Sequence, residues 1–356
     1  MATSPSPAEN LLDDFARLPV TKTLLAQLAL GSQRKAGGLW GGSAGLLVAA
    51  LHRAHRGTML VLTADDVDSI QLQTDLAAFG VRAHVLPREE QGDLGEPEAT
   101  SRSERQRTLQ HFAADKAPLI AGVQAMLQPV ATPKQLGQSQ FELRAGQPLD
   151  RAQVLQRAQA AGLRAVPLVL APGECSMRGD VVDLYPMAAD SAVRLEFLDR
   201  TLESIRTFDP SSQRTTAVHE RYVLALGSSE TAEDGPVLKH LGPAHLWVVA
   251  YEPLRIEDRT ARSLAFASEL GHRVQELQDT LRPCPRVDVS SLPSHDLDYR
   301  ILSAGSAVGA GEADPAGRLR SVRGMQGRVL LFCRTEEERQ RAPAAGTRLY
   351  QVLGTH

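Results

Sequence analysis

The chain has 356 residues, 42% of them hydrophobic and 23% charged, with 39 basic against 42 acidic side chains. At roughly 100 to 200 residues per domain that length excludes one small module, and the composition excludes disorder throughout. A net charge of -3 excludes an overall positive field for nucleic acid or an anionic membrane, so any DNA contact is local.

Residues 1–17 read as a flexible N-terminus. From 18 to 130 strand and helix signals alternate. Gly37–Gly41 reads as a short buried strand, Gly42–Gly45 as a glycine turn, and the apolar stretch from Leu46 to about Arg56 as a helix. Thr58–Thr63 is a continuous β-prone run. Asp65–Phe79 has helical spacing through Val67, Ile70, Leu72, Leu76 and Phe79, and Val81–Leu86 is strand-like. A polar loop over 87–100 leads to a helix at Ser101–Asp115, with Ser101 and Glu104 in capping-box register, and then to a buried strand at Ala117–Val123. Such alternation predicts a parallel sheet covered by helices on both faces.

Beyond Ala131–Lys134 the pattern changes. A helix at Asp150–Ala161 closes on Gly162, a suitable C-cap. Strand-like pieces without helices follow at 165–170, 179–185, 192–198 and 202–208, with a tight turn at Asp199-Arg200. Val193, Leu195 and Phe197 alternate with Arg194 and Glu196, which predicts a strand with one buried face. Residues 131–221 are therefore expected to be a small antiparallel α+β insert. Over 222–356 the host pattern returns, with buried strands at Leu246–Ala250 and Val329–Cys333, a helix within 256–281, and a loop-rich stretch over 283–319.

The glycine turn lies where a P-loop would cradle phosphates with backbone N–H groups. Counted from Gly38, that template needs Gly, Lys and a hydroxyl at 43, 44 and 45, where the chain has Ser43, Ala44 and Gly45. Without the Lys charge and the magnesium-binding hydroxyl, the segment Gly41, Gly42, Ser43, Ala44 and Gly45 is a degenerate P-loop, and neither ATP nor magnesium is expected there. Asp65 and Asp66 suit a helix start, where negative charge meets the dipole. His52 and His55 are i, i+3 neighbours without a third ligand, so no metal site is expected. Cys175, Cys284 and Cys333 are too widely spaced for a zinc site or a disulfide framework. Arg178-Gly179-Asp180 is a chance tripeptide, and no GxSxG elbow occurs. No run of about 18 apolar residues occurs and Met1–Asn10 lacks signal-peptide order, so a cytoplasmic protein without a membrane partner is expected.

The insert carries the most specific pattern. Pro172-Gly173-Glu174-Cys175-Ser176-Met177-Arg178-Gly179-Asp180-Val181-Val182-Asp183-Leu184-Tyr185-Pro186 leads into Val193-Arg194-Leu195-Glu196-Phe197-Leu198. Glu203-Ser204-Ile205-Arg206-Thr207-Phe208-Asp209-Pro210 and Ser212-Gln213-Arg214-Thr215 follow. This run resembles the UvrB-interaction domain shared by the UvrB and transcription-repair coupling factor families. Residues 20–130 resemble the UvrB-like first domain of the coupling factors, through Leu18-Pro19-Val20 and the strand before Thr63-Ala64-Asp65. UvrB proteins themselves carry an intact P-loop, which this chain lacks.

That resemblance implies a degenerate P-loop, RecA- or helicase-like α/β domain split by the insert. Its first half would cover 18–130, the UvrA-binding insert 131–221 and the second half 222–356. It implies docking onto UvrA, the damage-recognition ATPase of excision repair, through Arg178, Arg194 and Arg206 and the aromatic pair position held by Phe197 and Leu198. The alternative is that these arginines only pair with Glu174, Glu196 or Glu203 inside the domain. Contacts to RNA polymerase and DNA, and an ATP- and magnesium-dependent motor, belong to family regions downstream. Tyr350–Gly354 reads as an interrupted strand, so a fragment of a longer protein is expected. A recruitment module without a catalytic site is the leading expectation. A UvrB-like DNA-dependent ATPase with an atypical nucleotide loop is the second, and a structural paralogue with another partner the third.

Overall fold

The structure is a computed structural model that describes residues 7–39, 41–55, 57–89, 99–138, 140–187, 189–226, 234–267, 270–299, 329–333 and 349–353. Most of the loop expected at 87–100, much of the stretch at 283–319 and residues 354–356 lie outside them. The first elements are α1 (Pro7–Arg17), α2 (Pro19–Ala29), β1 (Gln33–Gly37), α3 (Ser43–Ala54), β2 (Thr58–Thr63), α4 (Asp66–Ala78) and β3 (His84–Leu86). Next come α5 (Ala99–Asp115), β4 (Leu119–Gly122), α6 (Val123–Leu127), α7 (Pro133–Gln138), β5 (Gln140–Arg144) and α8 (Arg151–Ala160). A run of strands follows: β6 (Arg164–Ala165), β7 (Glu174–Arg178), β8 (Val181–Tyr185), β9 (Ala192–Leu198), β10 (Thr201–Phe208), β11 (Thr215–His219) and β12 (Arg221–Ala225). The remainder is β13 (Leu246–Tyr251), α9 (Pro253–Phe266), α10 (Gly271–Leu281), β14 (Arg286–Val289), β15 (Leu297–Asp298) and the parallel pair β16 (Val329–Cys333) and β17 (Leu349–Leu353).

Contacts divide the chain into two units, one of Met1–Leu86, Asp115–Leu127 and Leu241–His356, the other of Pro87–Ala114 and Gln128–His240. The first holds a seven-stranded sheet of order β15-β1-β14-β13-β2-β4-β3, every neighbour parallel. β2 is a run of apolar residues because both faces of a parallel sheet are covered. On α3 the same burial takes in every residue from Ala44 to Leu51. The expected parallel α/β sheet split by an antiparallel insert is what forms.

Two expectations for this unit need correction. The N-terminus read as flexible is helical from Pro7, because Leu12 and Phe15 seat in the core and Phe15 stacks on Tyr299 at 5.4 Å. The strand expected at 37–41 forms earlier, at Gln33–Gly37. The backbone of 292–294 presses so close to Gly37 that a Cβ there would lie 2.3 Å from the Ser294 nitrogen, and Gly38 has left the strand with φ of 73°.

The second unit is built on a six-stranded sheet of order β11-β10-β9-β8-β7-β6, antiparallel except at β6–β7. One face is buried. Val154 and Ala158 of α8 and Leu143 and Leu224 of the β5–β12 ribbon pack on Val182, Leu184, Val193, Leu195, Phe197 and Ile205. Each such large side chain contributes about 1.5–3 kcal/mol. α8 starts where the Asp150 side chain accepts from the Ala152 amide at 2.8 Å, and it stops before Gly162, whose φ of 96° suits glycine.

Most of the strand expected at 165–170 does not form. Pro167 has no N–H for a ladder, and the amides of Leu170 and Ala171 go instead to the Glu174 carboxylate at 2.8 and 3.0 Å. The capping box expected at Ser101 also fails, since α5 already begins at Ala99.

Candidate protein-docking face

Alternation along β9 fixes the geometry of the second side of the insert sheet, one end of which Val169 covers by packing on Ala192 and Phe208. Val193, Leu195 and Phe197 enter the core, which leaves Arg194, Glu196 and Leu198 opposite. Strand register carries that side across the sheet. Ser176, Asp183, Arg194, Arg206 and Val218 are successive partners in one transverse row from β7 to β11. Arg178 lies two residues along β7 from Ser176, on the same side.

Asp183 is the charge centre of the row. Only 1% exposed, it accepts from Arg194 Nε at 2.7 Å, Arg194 Nη2 at 2.9 Å and Arg178 Nη2 at 2.9 Å. Arg194 Nη2 also donates to Gln213 at 2.9 Å, and its guanidinium carbon lies 4.5 Å from the centre of the Phe208 ring. The hydrogen bond to Asp183 raises the Arg194 pKa above the usual arginine value, so this group stays a cation at every working pH. Arg206 is held less fully. Its Nη2 meets Glu196 Oε2 at 3.0 Å, an oxygen that also accepts from the Ser204 hydroxyl at 2.6 Å, and its Nε is buried without an acceptor.

The site residues read from sequence thus divide. Arg178 and Arg206 are partly exposed and each makes one internal ion pair. Arg194 is largely covered and fully engaged, as the internal-pairing alternative required, though with Asp183 in place of a glutamate. Leu198 is 63% exposed on the Arg194 side of the sheet. Phe197 must be taken off that side. It is 4% exposed and packed in the core, because it has the opposite parity to Leu198 on the same strand. Asp183, Gln213, Phe208 and Val218 were not read from the sequence. Counting parity from Val182 and Leu184 would have put Asp183 on the Arg194 side.

The remaining motifs take structural positions. Gly41, with φ of 54°, and Gly42 turn the chain into α3, which begins at Ser43, and Ala44 is buried. Gly45 lets α3 approach α4, since a Cβ there would meet the Asp75 Cβ at 2.6 Å. At the same sheet edge the Glu252 carboxylate accepts from the Ser291 amide at 2.7 Å. Asp65 accepts from the Asp68 amide at 3.1 Å, capping α4 as expected. His55 stacks on Trp247 at 4.1 Å and bonds the His245 carbonyl. Cys175 and Cys284 are buried thiols, while the Cys333 side chain lies outside the described residues. Asp180 pairs with Arg151. Among the described residues no cluster of His, Cys, Asp and Glu could hold a metal, and no helix is long and apolar enough to cross a membrane.

Residues 141–226, which contain the whole of this face, match the UvrB interaction domain family. A transcription-repair-coupling factor of Myxococcus xanthus is 32% identical over 201 residues, 53% of this chain and 17% of that protein. The Escherichia coli transcription-repair-coupling factor is 30% identical over 193 residues, 52% of this chain and 16% of its own length. About half of the chain is thus homologous to the coupling factors. UvrABC system protein B of Chlorobaculum tepidum is 32% identical over 142 residues, 37% of this chain and 21% of that protein. Together these matches support an N-terminal coupling-factor region, one that corresponds to about a sixth of the coupling factors' length.

Proposed function

We propose that this chain is the recruitment module of a transcription-repair coupling factor and docks onto UvrA through the side of its insert sheet that carries Arg178, Leu198 and Arg206. A place in transcription-repair coupling is supported by the coupling-factor and UvrB relatives and by the UvrB interaction domain. Docking on UvrA is carried by one observation. Arg178 and Arg206 stand partly exposed on a rigid sheet beside exposed Leu198, the combination of charge-assisted donors and apolar surface that protein partners use. Arg194 acts from behind, its charge shared with Asp183. RNA polymerase, DNA and an ATP-driven motor belong to other parts of the longer protein, and the working compartment is the cytoplasm.

Calorimetric titration of the chain with purified UvrA tests this. Saturable binding is expected, weakened about tenfold or more by Leu198→Asp with Arg206→Gln, which leave the Asp183 hydrogen bonds in place, while the circular dichroism melt is retained. Absence of binding by the wild-type chain would reject the proposal. Saturable micromolar ATP binding by the chain alone would instead favour the ATPase reading.

A further inference from the structure

Like charges directly opposite one another on one side of a sheet repel, and Arg194 and Arg206 are such a pair. Their internal carboxylates are unevenly shared. Asp183 serves both Arg194 and Arg178, whereas Glu196 meets Arg206 at a single 3.0 Å contact. Three guanidinium groups therefore face two carboxylates, and the deficit falls on Arg206, whose Nε has no acceptor. β11 completes this corner of the sheet. Val218 stands opposite Arg206 and is 70% exposed, as an apolar side chain on the edge strand. Arg214, just before β11, is exposed and forms no ion pair among the described residues.

Uncompensated positive charge next to exposed apolar surface is complementary to a segment that presents a carboxylate beside an apolar side chain. We infer that the β10–β11 corner, Arg206 with Val218, is the anchor for an acidic, apolar-flanked segment of the partner. This rests on the UvrA reading above and adds to it a contact strand, β11, and a chemistry for the partner's side.

Opposite charges at one exposed position test it. In a titration of the full chain against purified UvrA, Val218→Glu should weaken Kd about tenfold or more, since it sets a carboxylate against the partner's own. Val218→Lys should bind about tenfold tighter than Val218→Glu. Circular dichroism should show both variants folded, with Val218→Lys melting slightly below Val218→Glu because its ammonium stands opposite Arg206. Equal Kd values for the two variants, or no loss in either, would overturn the acidic anchor while leaving wild-type binding, and with it the docking reading, intact. No binding by the wild-type chain would remove both. If Val218→Glu left UvrA binding unchanged but converted a dimer to a monomer in sedimentation, the corner would be a contact between copies, and the inference would be overturned.

Discussion

Asp183 shows how one side chain sets the character of a surface. A carboxylate 1% exposed is tolerated only because three arginine N–H groups satisfy it. Asp183→Ala should therefore cost about 3 kcal/mol, the lower end of the range for breaking a buried pair because water still reaches Arg178. Arg178→Ala should cost less than about 1 kcal/mol. Urea denaturation of both variants checks the ranking, and equal costs would contradict it. Glu174 supplies a pH signature. The amides of Leu170 and Ala171, then Arg164, hold its carboxyl below the usual carboxylate range. A lowered folded pKa adds stability above the ordinary value and loses it as pH falls through the folded one. Melts of the wild type and Glu174→Gln should therefore differ at pH 7, and the gap should start to narrow only as pH falls below the ordinary glutamate value of about 4.3. A gap that persisted in acid would contradict the assignment. In the sequence the arginines of this site were legible and their partner was not. Asp183 lies between core Val182 and Leu184, and only strand register brings it beside Arg194.

At the scale of elements, two helices and a loop meet through missing side chains. Gly45 admits the Asp75 Cβ, and Gly37 admits the backbone of 292–294. Backbone cannot step aside as a flexible side chain can, so Gly37→Ala should cost more than about 2 kcal/mol, read as a lowered denaturant midpoint. Burial pushes the Asp75 carboxyl pKa up, against a smaller opposing hydrogen bond from Gln71. Its charge therefore opposes folding increasingly as pH rises. Asp75→Asn should raise Tm by about 2 °C at pH 7 and by less near pH 4. An unchanged or lowered Tm at pH 7 would refute this. β2 and β9 were legible because one is apolar throughout and the other alternates cleanly. β7 and β11 were not. Ser176 and Glu174 give β7 a polar look although both are buried by hydrogen bonds, and β11 is an edge strand exposed along Thr215–Val218, with no apolar face to signal it. Prolines 167 and 172 turned an apolar run that reads as strand into a loop around Glu174.

Over the whole chain, the sequence pattern and the fold agree on a parallel α/β sheet interrupted by an antiparallel sheet, and the family match at 141–226 falls on the interruption. The division of labour follows from what each sheet leaves uncovered. The parallel sheet has internal groups at its carboxyl edge, with Glu252 on the Ser291 amide and Arg255 on Asp68 at 2.8 Å. The insert sheet instead keeps an outward side of partly exposed arginines and exposed apolar residues. Docking through that side is the central claim. Amide hydrogen exchange of the full chain, with and without UvrA, tests it most directly. Slower exchange confined to β7, β9, β10 and β11 is predicted. Protection elsewhere in the chain with those strands unchanged would contradict it.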